Sequence, residues 1–270
     1  MFPSQDDLAP GDRAAVSLDR SDLEIHRIRH VQDPLFETGY TALWNEFGAR
    51  GEMERRATLE ARLCAGPRFL YEMTVVLSKG RLAAVRDHTA VAMENEVVVH
   101  LSHNLVLPEW RRTGLAGWMR ALPVDTGRRC AEANGLAPVA PLVLVAEMEF
   151  FDPQDAGTGH RLKAYEKAGF KKADPRLVAY HQPDFRAPEQ IDASGGAIPL
   201  PFQLLLRRVG REGEPTMSGK ELRTVVSALR ALYAEQLRAE DMAHPALSLE
   251  GYPGEHARIP LLAPAEGVPD

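Results

Sequence analysis

Apolar and polar residues change period several times along this chain, and each change marks an element. From Leu23 to Arg29 apolar and charged residues alternate, which predicts a strand with one buried face. Asp33-Pro34 then reads as a helix start, an N-cap followed by proline at the first helical position. Behind it Phe36, Tyr40, Leu43, Trp44 and Phe47 recur at helical spacing. A second helix is predicted from Glu52 to Leu63, stopped at Gly66-Pro67. The period switches to two at Phe69, Tyr71, Met73, Val75 and Leu77. Lys79-Gly80 is the turn into a returning strand, Leu82 to Ala92, and Val97 to Leu107 completes an antiparallel meander.

Helical spacing returns at Leu115, Trp118, Met119 and Leu122, with Pro123 expected to kink or break the helix and a further helical stretch running from Val124 to Gly135. Val139 to Phe150 is the most apolar strand pattern, as for a strand central in a sheet. Thr158 to Ala168 reads as a helix ended by Gly169, and Leu177 to His181 and Pro201 to Val209 as strands around a Pro/Gly-rich stretch. Ser218 and Glu221 form a capping box. The helix they open carries an apolar stripe, Leu222, Val225, Val226, Leu229, Leu232, Tyr233 and Leu237. That stripe suits the core, or a homodimer contact through residues 218–240. From His244 the tail reads as extended.

Composition adds limits. The 270 residues are 44% hydrophobic and 26% charged, enough apolar material for a globular core. A net charge of −6 with no broad basic field argues against nucleic acid as the main partner. The first residues are acidic and lack an apolar segment, and no apolar run approaches a membrane span, so no membrane partner is expected and a cytoplasmic location follows by default. The two cysteines, Cys64 and Cys130, lie among apolar neighbours and are expected to be buried thiols; there is no disulfide framework or metal spacing. Residues 1–20 are expected to be loosely ordered, 21–209 to form one domain, and 210–270 to be a helical extension and tail.

Chemistry concentrates where the meander delivers the chain to Leu105–Arg120, LVLPEWRRTGLAGWMR. A strand, an arginine-rich turn and a helix follow one another, with Gly114 at the junction. Free N–H groups and the positive end of the dipole at such a helix start suit an anion. No Gly-Lys-Ser/Thr follows, which removes the P-loop reading.

The spacing R-x-x-G-x-A at Arg111, Gly114 and Ala116 resembles the acyl-CoA pyrophosphate loop of the GNAT acetyltransferases, Q/R-x-x-G-x-G/A. A second segment, LKAYEKAGF at Leu162–Phe170, resembles that family's later signature, with Tyr165, Glu166, Gly169 and Phe170 in register. The resemblance covers residues 23 to 209. Arg112 stands where the family often has glycine, and Thr158 where its second signature usually opens with asparagine.

The resemblance implies an α/β (α+β) fold, a mixed, mostly antiparallel sheet flanked by helices, here with an extra C-terminal helix. It implies acetyl-CoA as the acyl donor and an amine as the acceptor. Val106 and Leu107 match the strand positions that pair with pantetheine. The amides of Arg112, Thr113, Gly114, Leu115 and Ala116 match the pyrophosphate cradle, Arg111 braces the loop or reaches a phosphate, and Thr158 lies on the pantetheine side. Tyr165 matches the proton donor to the leaving thiolate; its alternative is a core tyrosine beside Phe170. His100 stands where some members carry a base, although a lone strand histidine is more often structural, and His103 has the opposite parity and should face the other side of the sheet. Glu147 and Glu149 end the apolar strand with one parity, suited either to an acceptor amine or to plain solvation. A second class of function is a GNAT-fold module that binds acyl-CoA or a partner without catalysis.

Overall fold

Lys79 and Gly80 both take positive φ, 50° and 75°, the backbone of a two-residue hairpin turn. They join β2 (Phe69–Ser78) to β3 (Arg81–Ala92), and β4 (Val97–Val106) and β1 (Leu23–Ile28) complete an antiparallel sheet in the order β1-β2-β3-β4. The computed structural model describes residues 2–13, 17–50 and 53–269. The chain divides into two units, residues 1–142 and 143–270.

In the first unit both faces of the sheet are covered, which is why β3 is buried along nearly its whole length. One face carries α2 (Pro34–Phe47) and α3 (Arg56–Leu63), with Phe36, Leu43 and Leu59 packed on Tyr71, Met73, Val75, Val85 and Leu105. Asp33 caps α2 by accepting from the Leu35 N–H. The expected start of the next helix, Glu52, lies outside the described residues; the helix itself opens at Arg56. Cys64 closes it and is exposed, contrary to the expected burial, because a C-cap position lies past the last buried turn.

The opposite face carries α4 (Leu115–Ala133), through Leu115, Met119 and Leu122 against Val76, Ala83 and Ala84. Pro123 does not break this helix. Both sides of the proline are held on the sheet by buried side chains, from Leu115 to Cys130, and that packing outweighs the roughly 3 kcal/mol an interior proline costs. The N-terminal residues, expected to be loosely ordered, pack on α4. Leu8 and Ala9 are fully buried, Phe2 meets the Trp118 ring edge-on at 5.5 Å, and Asp12, in α1 (Pro10–Arg13), pairs with Arg120 at 2.5 Å. Apolar anchors interleaved with carboxylates that find arginines explain this order.

The second unit is a further antiparallel sheet. β5 (Leu142–Met148) pairs with β8 (Leu200–Arg208), which also pairs with β6 (Lys171–Ala173) and, at its other end, with β7 (Tyr180–Gln182). The tail from His244, expected to be extended and apart, supplies β10 (Arg258–Leu262) between β6 and β9 (Thr216–Ser218). α5 (Ala156–Lys167) follows β5, the short α6 (Pro188–Ala193) interrupts the Pro/Gly-rich stretch, and α8 (Ala239–Met242) follows α7 (Gly219–Ala234). Ser218 caps α7 through the Glu221 amide, as the capping box predicts. The stripe from Leu222 to Tyr233 is buried within the chain, so it is not left over for a second subunit. Residues 210–270 thus complete the sheet that β5 begins instead of forming an appendage. Each unit is a mostly antiparallel sheet with helices, the fold class expected.

Candidate active site

The turn after β4 is built by two residues of positive φ, Arg112 at 65° and Gly114 at 97°, the latter the N-cap of α4. A glycine adopts this backbone freely, while an arginine there is strained by about 1–2 kcal/mol. Thr113 steadies the turn, donating from Oγ1 to the Trp110 carbonyl at 2.8 Å. Arg111 folds back, with Nε donating to the Val106 carbonyl at 3.1 Å, and Leu107 donates its N–H to Ala83. Arg111 is thereby tied to the end of β4 that precedes the turn. The amides of Arg112, Thr113 and Gly114 have no backbone partner among the described residues. Next to the first turn of α4, where the Leu115 amide meets Thr113 Oγ1 at 3.4 Å, they form a cluster of donors that fits an anion.

On the α2–α3 side of the first unit's sheet lies a buried polar cluster. The β3–β4 register shifts once: Asp87 opposes His103 and His88 opposes Leu101, so Ser102 is a bulge. The extra residue reverses parity along β4. His100, opposite Thr89, and His103, opposite Asp87, therefore face the same side, and the expectation that His103 faces away is corrected. Asp87 Oδ1 accepts from both the His103 amide and Nδ1, each at 2.8 Å, and Asp87 Oδ2 accepts from the Tyr71 hydroxyl at 3.1 Å. Burial works to raise the Asp87 carboxyl, but His103 and Arg62 outweigh it and hold it at about 2. Burial, with Asp87 beside it, pushes the Tyr71 phenol well above its ordinary value. Glu54 pairs with Arg62 at 2.7 Å, and its other oxygen lies 4.0 Å from His103 Nε2. Burial opposes the Glu54 charge, but Arg62 and His103 keep its carboxyl below the usual range. His100 Nδ1 has the Ser102 hydroxyl at 3.5 Å.

In the second unit Glu147 accepts from the hydroxyls of Tyr180 and Tyr233. Burial first, then Glu147, drives the Tyr180 phenol well up, so it stays a donor. Glu149 pairs with Arg161. Tyr165 is half-buried and meets Phe170 edge-on, ring centres 4.9 Å apart. Thr158 is buried and its hydroxyl closes the preceding loop, accepting from the Asp152 amide at 3.0 Å and donating to the Asp155 carbonyl at 2.7 Å. The Val106 carbonyl, the Leu107 amide, Glu147, Glu149 and Thr158 are thus each engaged by neighbours within the chain. Sequence reading does not find Asp87, Tyr71 and Glu54. The strand parity of Tyr71 and Asp87 is available to it, but the bulge that aligns His103 with them is not.

Among the described residues no group of three or more His, Cys, Asp or Glu is placed to hold a metal, and no helix is long and apolar enough to cross a membrane. No family model and no curated protein matches the chain. Solved structures similar to it include N-acetylglutamate synthase from Neisseria gonorrhoeae complexed with coenzyme A and N-acetyl-glutamate. That match has 14% identity and a TM-score of 0.39, over 69% of this chain and 35% of that one. Arabidopsis thaliana Naa50 in complex with a bisubstrate analogue matches at 11% identity and TM-score 0.41, over 69% and 98%. A GNAT family acetyltransferase from Elizabethkingia anophelis with acetyl-CoA bound matches at 14% identity and TM-score 0.39, over 70% and 99%. The chain spans about a third of the first of these proteins, and at these scores the similarity transfers no activity to it.

Proposed function

We propose that the chain is an acetyl-CoA-dependent N-acetyltransferase, passing an acyl group to a primary amine of a small molecule or protein by direct attack in a ternary complex. One observation carries the reading. The R-x-x-G-x-A motif falls on a sharp turn at a helix start, where positive φ at Arg112 and Gly114 coincides with amides at residues 112–114 that no described backbone carbonyl accepts. That turn would hold the pyrophosphate of acetyl-CoA through Arg112, Thr113, Gly114, Leu115 and Ala116, with Arg111 bracing it from behind. Acetyl-CoA supplies the activated acyl group. The protein's part is to position the amine, accept its proton and return one to the departing sulfur. Tyr165, in register with the second signature, is the proposed donor to that sulfur.

The test is acetyl-CoA consumption across a panel of primary amines, with Tyr165→Phe as the comparison. Turnover by the wild type and a kcat lowered about 10-fold or more in Tyr165→Phe are expected. A second reading, a module that binds acyl-CoA without turnover, is favoured by the way Glu147, Glu149 and Thr158 are occupied by their neighbours. Binding with no consumption of any amine would select it.

A further inference from the structure

The C-terminal half of α4 lines a cavity that the proposed reaction does not use. Its volume is about 470 Å³, within the range that holds a small organic molecule. Val97 at the start of β4, Ala131 of α4 and Leu142 line it with buried side chains, joined by Leu136, Pro138 and Pro141 from the segment after α4. The backbone around it offers little to a ligand. Both prolines lack an N–H, Gly135 and Leu136 donate back into α4 at Glu132 and Ala131, and Val97 donates to the Pro141 carbonyl at 3.0 Å. The lining is therefore mostly hydrocarbon.

Two charged residues stand at its edge, Arg128 and Glu132, one turn apart on α4 and both exposed. Their circumstances differ. Arg128 is paired with the buried Asp7 at 2.6 Å. The Glu132 carboxylate has no ion pair or hydrogen bond among the described residues. With Arg128 met by Asp7, the charge left over beside the cavity is negative. A hydrocarbon cavity next to one uncompensated carboxylate complements a molecule with an apolar body and a single cationic head.

We propose that this cavity binds a small amphipathic cation, an aromatic or aliphatic body bearing one ammonium group. The body displaces water from Val97, Ala131, Leu136 and Leu142, and the ammonium stays at the exposed edge beside Glu132. The site is separate from the turn after β4, since Leu115 and Ala131 lie about 24 Å apart along α4 at about 1.5 Å per residue. It stands whether or not that turn receives acetyl-CoA.

The test is methyl NMR on the full chain without acetyl-CoA, titrated with probes of one shape: phenylbutylamine, phenylbutanol and phenylbutyrate. The amine should shift the methyls of Val97, Ala131, Leu136 and Leu142, with a dissociation constant of about 1 mM or below. In low salt it should bind about fivefold tighter than the acid. Glu132→Gln should bring amine and acid within about twofold of each other and leave the alcohol unchanged. Ala131→Phe should fill the cavity and abolish the shifts. No shift of these methyls at about 10 mM amine overturns the proposal, as do shifts confined to other residues. Equal affinity for amine and acid, or a preference that survives Glu132→Gln, overturns it too. The wild-type titration and Glu132→Gln, at an exposed position, decide the matter even if Ala131→Phe does not fold. With no acetyl-CoA present, failure here leaves the reading of the turn untouched.

Discussion

Asp87 on β3 ties Tyr71 of β2 to His103 of β4 through single atoms, so its ionisation has a measurable effect on stability. Its folded value of about 2 lies below its ordinary value of 3.8. The stabilisation is therefore complete above about pH 4 and is lost as pH falls towards 2. The difference amounts to about 2 kcal/mol. The gap in unfolding free energy between wild type and Asp87→Asn should shrink by about that amount between pH 5 and pH 2; a gap independent of pH would contradict the ion pair. Arg112 makes a prediction of opposite sign. At φ 65° it occupies a glycine conformation, so Arg112→Gly should leave stability unchanged or raise it by up to about 1 kcal/mol, despite glycine's greater unfolded entropy. Its appearance where the resembled motif often has glycine is legible in the sequence, and the backbone explains it. The shared face of His100 and His103 is not legible. Parity is counted from an unbroken strand, and one bulged serine reverses it with no compositional signal.

The long periodic elements can be read from the pattern, and the short ones cannot. β2, β3 and β4 follow from alternation, and α2 and α7 from caps and apolar spacing, because burial on a sheet demands those periods. β6, three residues with two lysines, and β10, which contains Pro260, carry no such signal; each is a strand only because a neighbour pairs with it. Pro123 misleads for a related reason, since helix interruption is a local preference that packing outweighs. Close helix contacts are equally hidden. A methyl on Gly127 of α4 would come within 2.4 Å of Leu142 and 3.0 Å of Val99. Gly127→Ala should lose about 1–3 kcal/mol in chemical denaturation, although alanine is the better helix former; a stabilised variant would show that α4 stands further from the sheet. At Gly219 the obstacle is backbone, the Gly254 carbonyl oxygen at 2.0 Å, where the first α7 amides donate to Ala257 and Glu255. Gly219→Ala should expose those amides, read as faster hydrogen exchange at residues 219 and 220.

At the scale of the whole chain, two antiparallel sheets with their helices divide residues 1–142 and 143–270, and the net charge is −6. The motif at Arg111–Ala116 is legible in the residues alone because the proposed phosphate site would use backbone amides, whose placement a few glycine positions dictate. The proposed acceptor is not, since side chains from separate strands would define its site and registers are not written locally. The central claim is that this turn holds the pyrophosphate of acetyl-CoA. Calorimetric titration of the full chain with acetyl-CoA tests it most directly. The account predicts one site with a dissociation constant between about 1 and 100 μM, weakened about 10-fold or more in Gly114→Ala, where a side chain is strained at φ 97°. No binding by the wild type, or equal affinity in a folded Gly114→Ala variant, would contradict it.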